Sequence, residues 1–94
     1  MIKSWRHKGL KELFLAGSKK GVRPDMASRL RRRLDVLDAA NSLDALGLPG
    51  FRLHSLLGEM KGRHSIRVTE NWRITFTFED GDAFEVDLED YHGK

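Results

Sequence analysis

The chain contains four histidines and one tyrosine, and three of these five stand where they could share a site. His54 alternates with apolar neighbours in a strand-like stretch, while Asp90, Tyr91 and His92 follow the last strand-like run. A histidine exchanges a proton near neutral pH, a tyrosine exchanges one through its phenol, and an arginine such as Arg73 grips phosphate oxygens with a fork of donors. Cleaving RNA by transesterification calls for that set: a base for the 2′-hydroxyl, a cation for the charge that builds on the phosphorane, and an acid for the departing 5′-oxygen. Residue types alone leave a second reading open, in which His54 is a half-buried polar side chain and the segment from Asp90 onward is a frayed tail. His7 and His64 have no partner pattern and read as structural or solvated. There is no HExxH pair, phosphate-binding glycine loop or nucleophile elbow. Glu79, Asp80 and Asp82 read as hairpin-turn residues rather than a metal cage, so neither a metal nor another cofactor is expected.

The elements that must position these groups follow from periodicity. Ile2 and Trp5 suggest a short strand at the start. Leu10, Leu13 and Phe14 form one apolar stripe between Lys8, Lys11 and Glu12, which predicts a short helix ended by Gly17 in its left-handed C′ role. After a basic loop, Pro24 suits the first position of a second helix running to about Asn41. Its buried stripe is Met26, Leu30, Leu34 and Leu37, with Arg29, Arg31, Arg32 and Arg33 on the other faces. A turn-rich stretch around Gly47, Pro49 and Gly50 separates this half from one with period 2. There Phe51 and Leu53, then Ile66 and Val68, then Trp72, Ile74, Phe76 and Phe78, then Phe84, Val86 and Leu88 alternate with polar residues. Asp80-Gly81 is a strong two-residue hairpin signal. The expected architecture is α+β in the order β-α-α-β-β-β-β, with two N-terminal helices packed on one face of a small, mainly antiparallel sheet. Its other face should stay open and carry Arg67, Arg73, Thr75 and Thr77.

Ninety-four residues make one domain, 1–94, too small for a deep cofactor cavity, so a site must be a surface groove. No cysteine is present, which excludes thiolate chemistry and suits a reducing cytoplasm. The longest apolar run, Leu13 to Ala16, is far below the ~20 residues of a membrane span, and no membrane partner is expected. The net charge of +3 hides a division. Residues 1–34 carry 11 Lys or Arg against 2 Asp or Glu, and residues 35–94 carry 6 against 12. Such a division suits an oriented encounter with a polyanion, and it equally suits a solvated helix face.

The residues also carry a resemblance that covers nearly the whole chain. Met1 to Ser4, His7 to Leu10, Leu53-His54 with Leu56 and Gly58, Asn71 to Phe76, Asp80 to Ala83 and Asp90-Tyr91-His92 together resemble the HigB-type toxins of the RelE/ParE superfamily. The resemblance implies a toxin of a type II toxin-antitoxin system: a ribosome-dependent endoribonuclease that enters the decoding site of the 70S ribosome and cuts translated messenger RNA. Its expected partner is a HigA-type helix-turn-helix antitoxin, through whose complex any contact with DNA would run. Carried over by position, His54, Arg73, Asp90, Tyr91 and His92 form the catalytic set, with Asn71, Arg67 and Lys61 binding substrate. Lys19, Lys20, Arg31 and Arg32 are expected to contact ribosomal RNA phosphates. Many relatives have a lysine where this chain has Leu57, and Arg67 or Lys61 could replace it. Gyrase-binding ParE-like members of the superfamily supply the alternative, a purely binding toxin; a DNA-binding module would need a recognition helix that the chain lacks.

Overall fold

The helical layer is organised by where glycine, proline and histidine stop or start the backbone. In this computed structural model, which describes residues 1–56 and 62–91, α1 spans Lys8–Ala16 and is capped at its start by His7, whose Nδ1 accepts the Leu10 amide at 3.1 Å. Gly17, at φ 69°, ends it: the Gly17 and Ser18 amides reach the carbonyls of Leu13 and Glu12, the double closure that a left-handed glycine permits. Pro24 opens a short 3₁₀ turn, Pro24–Met26, which passes directly into α2, Ala27–Ala39. Leu10 of α1 and Leu30, Leu34 and Leu37 of α2 are fully buried.

Four strands follow, and their register assigns each side chain to a face. The strands are β1 His54–Ser55, β2 His64–Arg67, β3 Trp72–Glu79 and β4 Asp82–Asp90, paired antiparallel in chain order. Asp80 and Gly81 both take positive φ between β3 and β4, the mirror-image turn whose twist matches a hairpin. On the helix-covered face, Ile66, Ile74, Phe76 and Val86 are fully buried and complete the core with the helical leucines. The predicted first strand is an edge segment beside β4: Ile2 and Trp5 bridge in parallel to Ala83 and Val86, and the Ile2 amide donates to Asp38 near the end of α2. This makes the sheet mainly, not wholly, antiparallel, as the sequence suggests.

Two local differences from the sequence reading have physical causes. The stretch from Phe51 does not pair as a strand until His54, because Gly50 and Arg52 both take positive φ and turn the chain there. Phe51 still reaches the core, and its carbonyl accepts the Arg67 amide at 2.6 Å. The face opposite the helices is not bare either. Ser65 and Thr75 are fully buried, because longer side chains lie over them.

Gly9 packs face to face against the backbone of Gly21, so that a Cβ at position 9 would collide with the Gly21 carbonyl. Backbone cannot step aside as a side chain can, and the clash outweighs the ~1 kcal/mol that alanine gains over glycine in a helix. Gly9→Ala should therefore lower stability by about 1–3 kcal/mol, read as a lower denaturant midpoint. An unchanged or higher midpoint would mean that the basic loop does not seat on α1.

Candidate active site

Strand alternation gathers the polar residues of all four strands on the face away from the helices. Across one row, His54 pairs with Ser65, Ser65 with Thr75, and Thr75 with Asp87. One pair further along lie Arg67, Arg73 and Glu89. Tyr91 follows at the same parity just past β4, its amide donating to the Asn71 carbonyl at 2.5 Å.

Arg73 is the residue on which these rows converge. Its Nε donates to Ser65 Oγ at 2.8 Å and its Nη2 to the Arg52 carbonyl at 2.6 Å, so the guanidinium ties β3 to β2 and to the turn before β1. Its charge centre stands 5.9 Å from the centre of the Tyr91 ring. Neutral oxygens hold the fork, and among the described residues no carboxylate makes an ion pair with it. Burial lowers its pKa, as do Arg67 and Arg52 nearby, while Tyr91 works the other way. An anion arriving at this point would relieve that cost.

The Tyr91 phenol is pushed above its ordinary value, first by burial and then by Glu89, with Arg73 and Arg63 pulling the other way. It is thus a neutral proton donor at physiological pH, not a base. His54 is exposed on the edge strand. Two strand spacings and one residue pair separate it from Arg73, about 12 Å between backbones.

One part of this face escapes the sequence. Arg63, just before β2, is 5% exposed, and its Nη2 donates both to Thr75 Oγ1 at 2.9 Å and to the Glu85 carbonyl at 2.8 Å. Thr75 in turn donates to Glu89 Oε2 at 2.6 Å. Glu85 has φ 52° and, with Val86, stands opposite Phe76 where the β3–β4 register shifts. This is a bulge whose displaced carbonyl Arg63 caps. Burial lowers the Arg63 pKa, and Nε and Nη1 have no hydrogen-bond partner among the described residues. Nothing in residue order signals Arg63, which precedes its strand, whereas Glu89 shares the parity of Tyr91 and was derivable from period 2.

Of the expected site residues, Arg73, Tyr91, Arg67 and the Asn71 backbone come together, and His54 faces them from the edge. Asp90 alternates to the other parity and pairs with Trp72. His92 and Lys61 lie outside the described residues, as does Leu57. Lys19, Lys20, Arg31 and Arg32 belong to the helical layer, on the other side of the sheet. Arg31 is engaged there with Asp35, the Leu13 carbonyl and the Phe14 ring.

Comparison with known proteins places this geometry. Residues 3–92 match the family described as the RelE-like toxin of type II toxin-antitoxin system HigB. The chain is 46% identical over 92 residues to Endoribonuclease HigB of Proteus vulgaris, covering 98% of this chain and all of that one. It is 41% identical over 61 residues to Toxin HigB-1 of Vibrio cholerae, covering 64% of each. A crystal structure of a mutant YafQ from E. coli superposes with a TM-score of 0.63 at 20% identity, over 98% of this chain and 93% of that one, which supports the fold.

Tyr91 is the only tyrosine, so its ionisation can be read by ultraviolet absorbance without interference. A phenol whose pKa is raised binds its proton more tightly in the folded chain. The stability it contributes is complete below the unfolded value near pH 10 and is lost as pH rises towards the folded value. The absorbance midpoint should lie above that of the denatured chain, and Glu89→Gln should lower it. A midpoint equal to the denatured value, unmoved by Glu89→Gln, would remove Tyr91 from this face.

Proposed function

Because the chain belongs to the HigB family of RelE-like toxins of type II toxin-antitoxin systems, we propose that its polar sheet face is the active site of an endoribonuclease that cuts translated messenger RNA on the ribosome. As a toxin of such a system it has an antitoxin partner. Among the described residues no helix is long and apolar enough to cross a membrane, in keeping with work at the ribosome in the cytoplasm.

The reaction is a transesterification. The 2′-oxygen loses its proton and attacks the adjacent phosphorus, the bond from phosphorus to the 5′-oxygen breaks, and that oxygen takes a proton. A 2′,3′-cyclic phosphate and a 5′-hydroxyl remain. Arg73 holds the non-bridging oxygens and offsets the charge of the phosphorane. Arg67, its cross-strand partner, stands where it can supply the second cation that relatives take from a lysine at the position of Leu57. Tyr91 donates a proton, and the histidines His54 and His92 supply the acceptor. Arg63 and Glu89 do not enter this exchange; they fix the floor beneath it.

The observation that carries this reading is the Arg73 fork, held by Ser65 and the Arg52 carbonyl with the Tyr91 phenol beside it. A face so shallow does not by itself align a 2′-hydroxyl with the phosphate, and the ribosome supplies that alignment. Lys19, Lys20, Arg31 and Arg32, on the opposite layer, are placed to meet ribosomal RNA while the sheet faces the message.

Primer extension on translated messages should give cuts in register with the reading frame, whereas the same RNA without ribosomes is cut far more slowly. Equal rates on the two would remove the ribosome from the mechanism. In single-turnover cleavage on programmed ribosomes, Tyr91→Phe and His92→Ala should each lose about 10²-fold or more, with thermal melts and antitoxin binding unchanged. Near-normal cleavage by both variants would remove Tyr91 and His92 from the catalytic set, whereas no cleavage by the wild-type chain would favour a binding toxin.

A further inference from the structure

Two shallow grooves at the β2 end of the sheet meet at Arg67 and Glu70. One is lined by Arg29, Arg33 and Arg67 with Glu70, and the other by Arg52, Arg67 and Arg73 with the same Glu70. They connect the outer side of α2 to the cation of the candidate active site. Five arginines thus form one continuous path.

The charges along this path are oriented but not neutralised. Arg33 donates to the Arg67 and Arg29 carbonyls and lies over the Phe51 ring at 4.9 Å. Arg67 donates to the Thr69 carbonyl, and Arg73 to the Arg52 carbonyl. Among the described residues none of the five makes an ion pair with a carboxylate, Glu70 included, although other arginines do pair, Arg23 with Asp25 and Arg31 with Asp35. Arg67 and Arg73 even stand directly opposite each other across β2 and β3, a like-charge placement that destabilises a sheet. Burial and neighbouring arginines lower the pKa of Arg33 and Arg73 alike. The opposite side of the face carries the carboxylates Asp87 and Glu89 on β4 and Glu85 at its bulge, and of its cations Arg63 is buried beneath them while Arg6 stands 4.0 Å from Glu85.

We propose that this arginine path binds the phosphates of the substrate strand next to the scissile one, so that the RNA leaves the site over β2 and the outer side of α2. The proposal rests on the endoribonuclease reading and adds the course of the strand. A single strand with one phosphate at Arg73 must continue across one edge of the sheet. The carboxylates of β4 repel it there, while the arginines attract it towards Arg67, Arg52 and Arg29. Because the donors contact backbone phosphates, this contact is indifferent to base sequence.

The test uses the whole chain and two non-cleavable 2′-O-methyl RNAs, a trinucleotide and a strand of about twelve nucleotides, with binding followed by fluorescence anisotropy across a salt series. Arg29 and Arg52 are exposed and their side chains donate no hydrogen bond among the described residues, so Arg29→Gln with Arg52→Gln should melt normally. Loss of two phosphate contacts should reduce the salt slope of the longer strand by about 1.4 and leave the trinucleotide slope unchanged. Arg29→Lys with Arg52→Lys should keep the wild-type slope. An unchanged slope for the longer strand in the glutamine variant overturns the proposal, as does an equal loss on the trinucleotide or a loss in the lysine variant as well. Weakened binding to ribosomes with the longer strand unaffected would assign the arginines to ribosomal RNA and also overturn it. Wild-type cleavage on programmed ribosomes is measured in parallel: its absence refutes the endoribonuclease reading, while the salt slope still decides the path of the strand.

Discussion

A cation meant for phosphate cannot be satisfied beforehand by a carboxylate, yet it must be held still. At Arg73 the guanidinium is held, among the described residues, by neutral oxygens, the Ser65 hydroxyl and the Arg52 carbonyl. The rest of the molecule maintains that arrangement. Ile74 and Phe76 alternate with Arg73 and Thr75 along β3 and are fully buried against the helices, worth about 1.5–3 kcal/mol for each side chain. That burial fixes the strand, and a strand fixed by its core face has its polar face fixed with it. A slip of one residue would put the arginine into the core.

The polar face is divided by charge as the chain is divided along its length. Carboxylates come from β4 and cations from β2, β3 and the turn before β1. Arg63 is the exception on the acidic side. It lies beneath Thr75 and Glu89 and caps the bulge carbonyl of Glu85, so a buried charge is spent on shape. Breaking such a network by removing one partner costs far more than its net contribution. In this domain that cost falls on the strand that carries Glu89 and leads into Tyr91. The N-terminal segment works to the same end from the other edge, since Ser4 accepts the Val86 amide on its carbonyl and the Glu85 amide on its hydroxyl, holding the same stretch of β4.

Much of this was legible in residue order. The apolar stripe of α2, the period-2 run of β3 and the Asp80-Gly81 turn each depend on local rules, and each formed where those rules placed it, whereas in β4 the bulge at Glu85 and Val86 puts Phe84 opposite Thr77 on the polar side and gives its core position to Ala83. The stretch from Phe51 to Ser55 reads as one strand because its apolar alternation is intact. Gly50 and Arg52 in the left-handed region break the pairing without disturbing the burial of Phe51. The burial of Ser65 and Thr75 was not legible, because it depends on long side chains from other strands lying over them. Arg63 was hidden for the same reason: its partners are 12 and 22 positions away, and nothing in its own neighbourhood marks it as buried. The proposed catalytic set was visible by type and resemblance, but the meeting of Arg73 with Tyr91 depends on register.

In the transesterification proposed for this face the neighbouring 2′-oxygen is the nucleophile, and no water enters the bond-breaking step. Messages programmed on ribosomes with a single 2′-deoxy nucleotide at the cleaved position test this most directly, with fragment ends identified by mass spectrometry. The all-ribose message should yield a 2′,3′-cyclic phosphate, or the monophosphate to which it opens, together with a 5′-hydroxyl. The substituted message should remain intact at that position. Cleavage of the deoxy-substituted message, or fragments ending in a 3′-hydroxyl and a 5′-phosphate, would contradict the account.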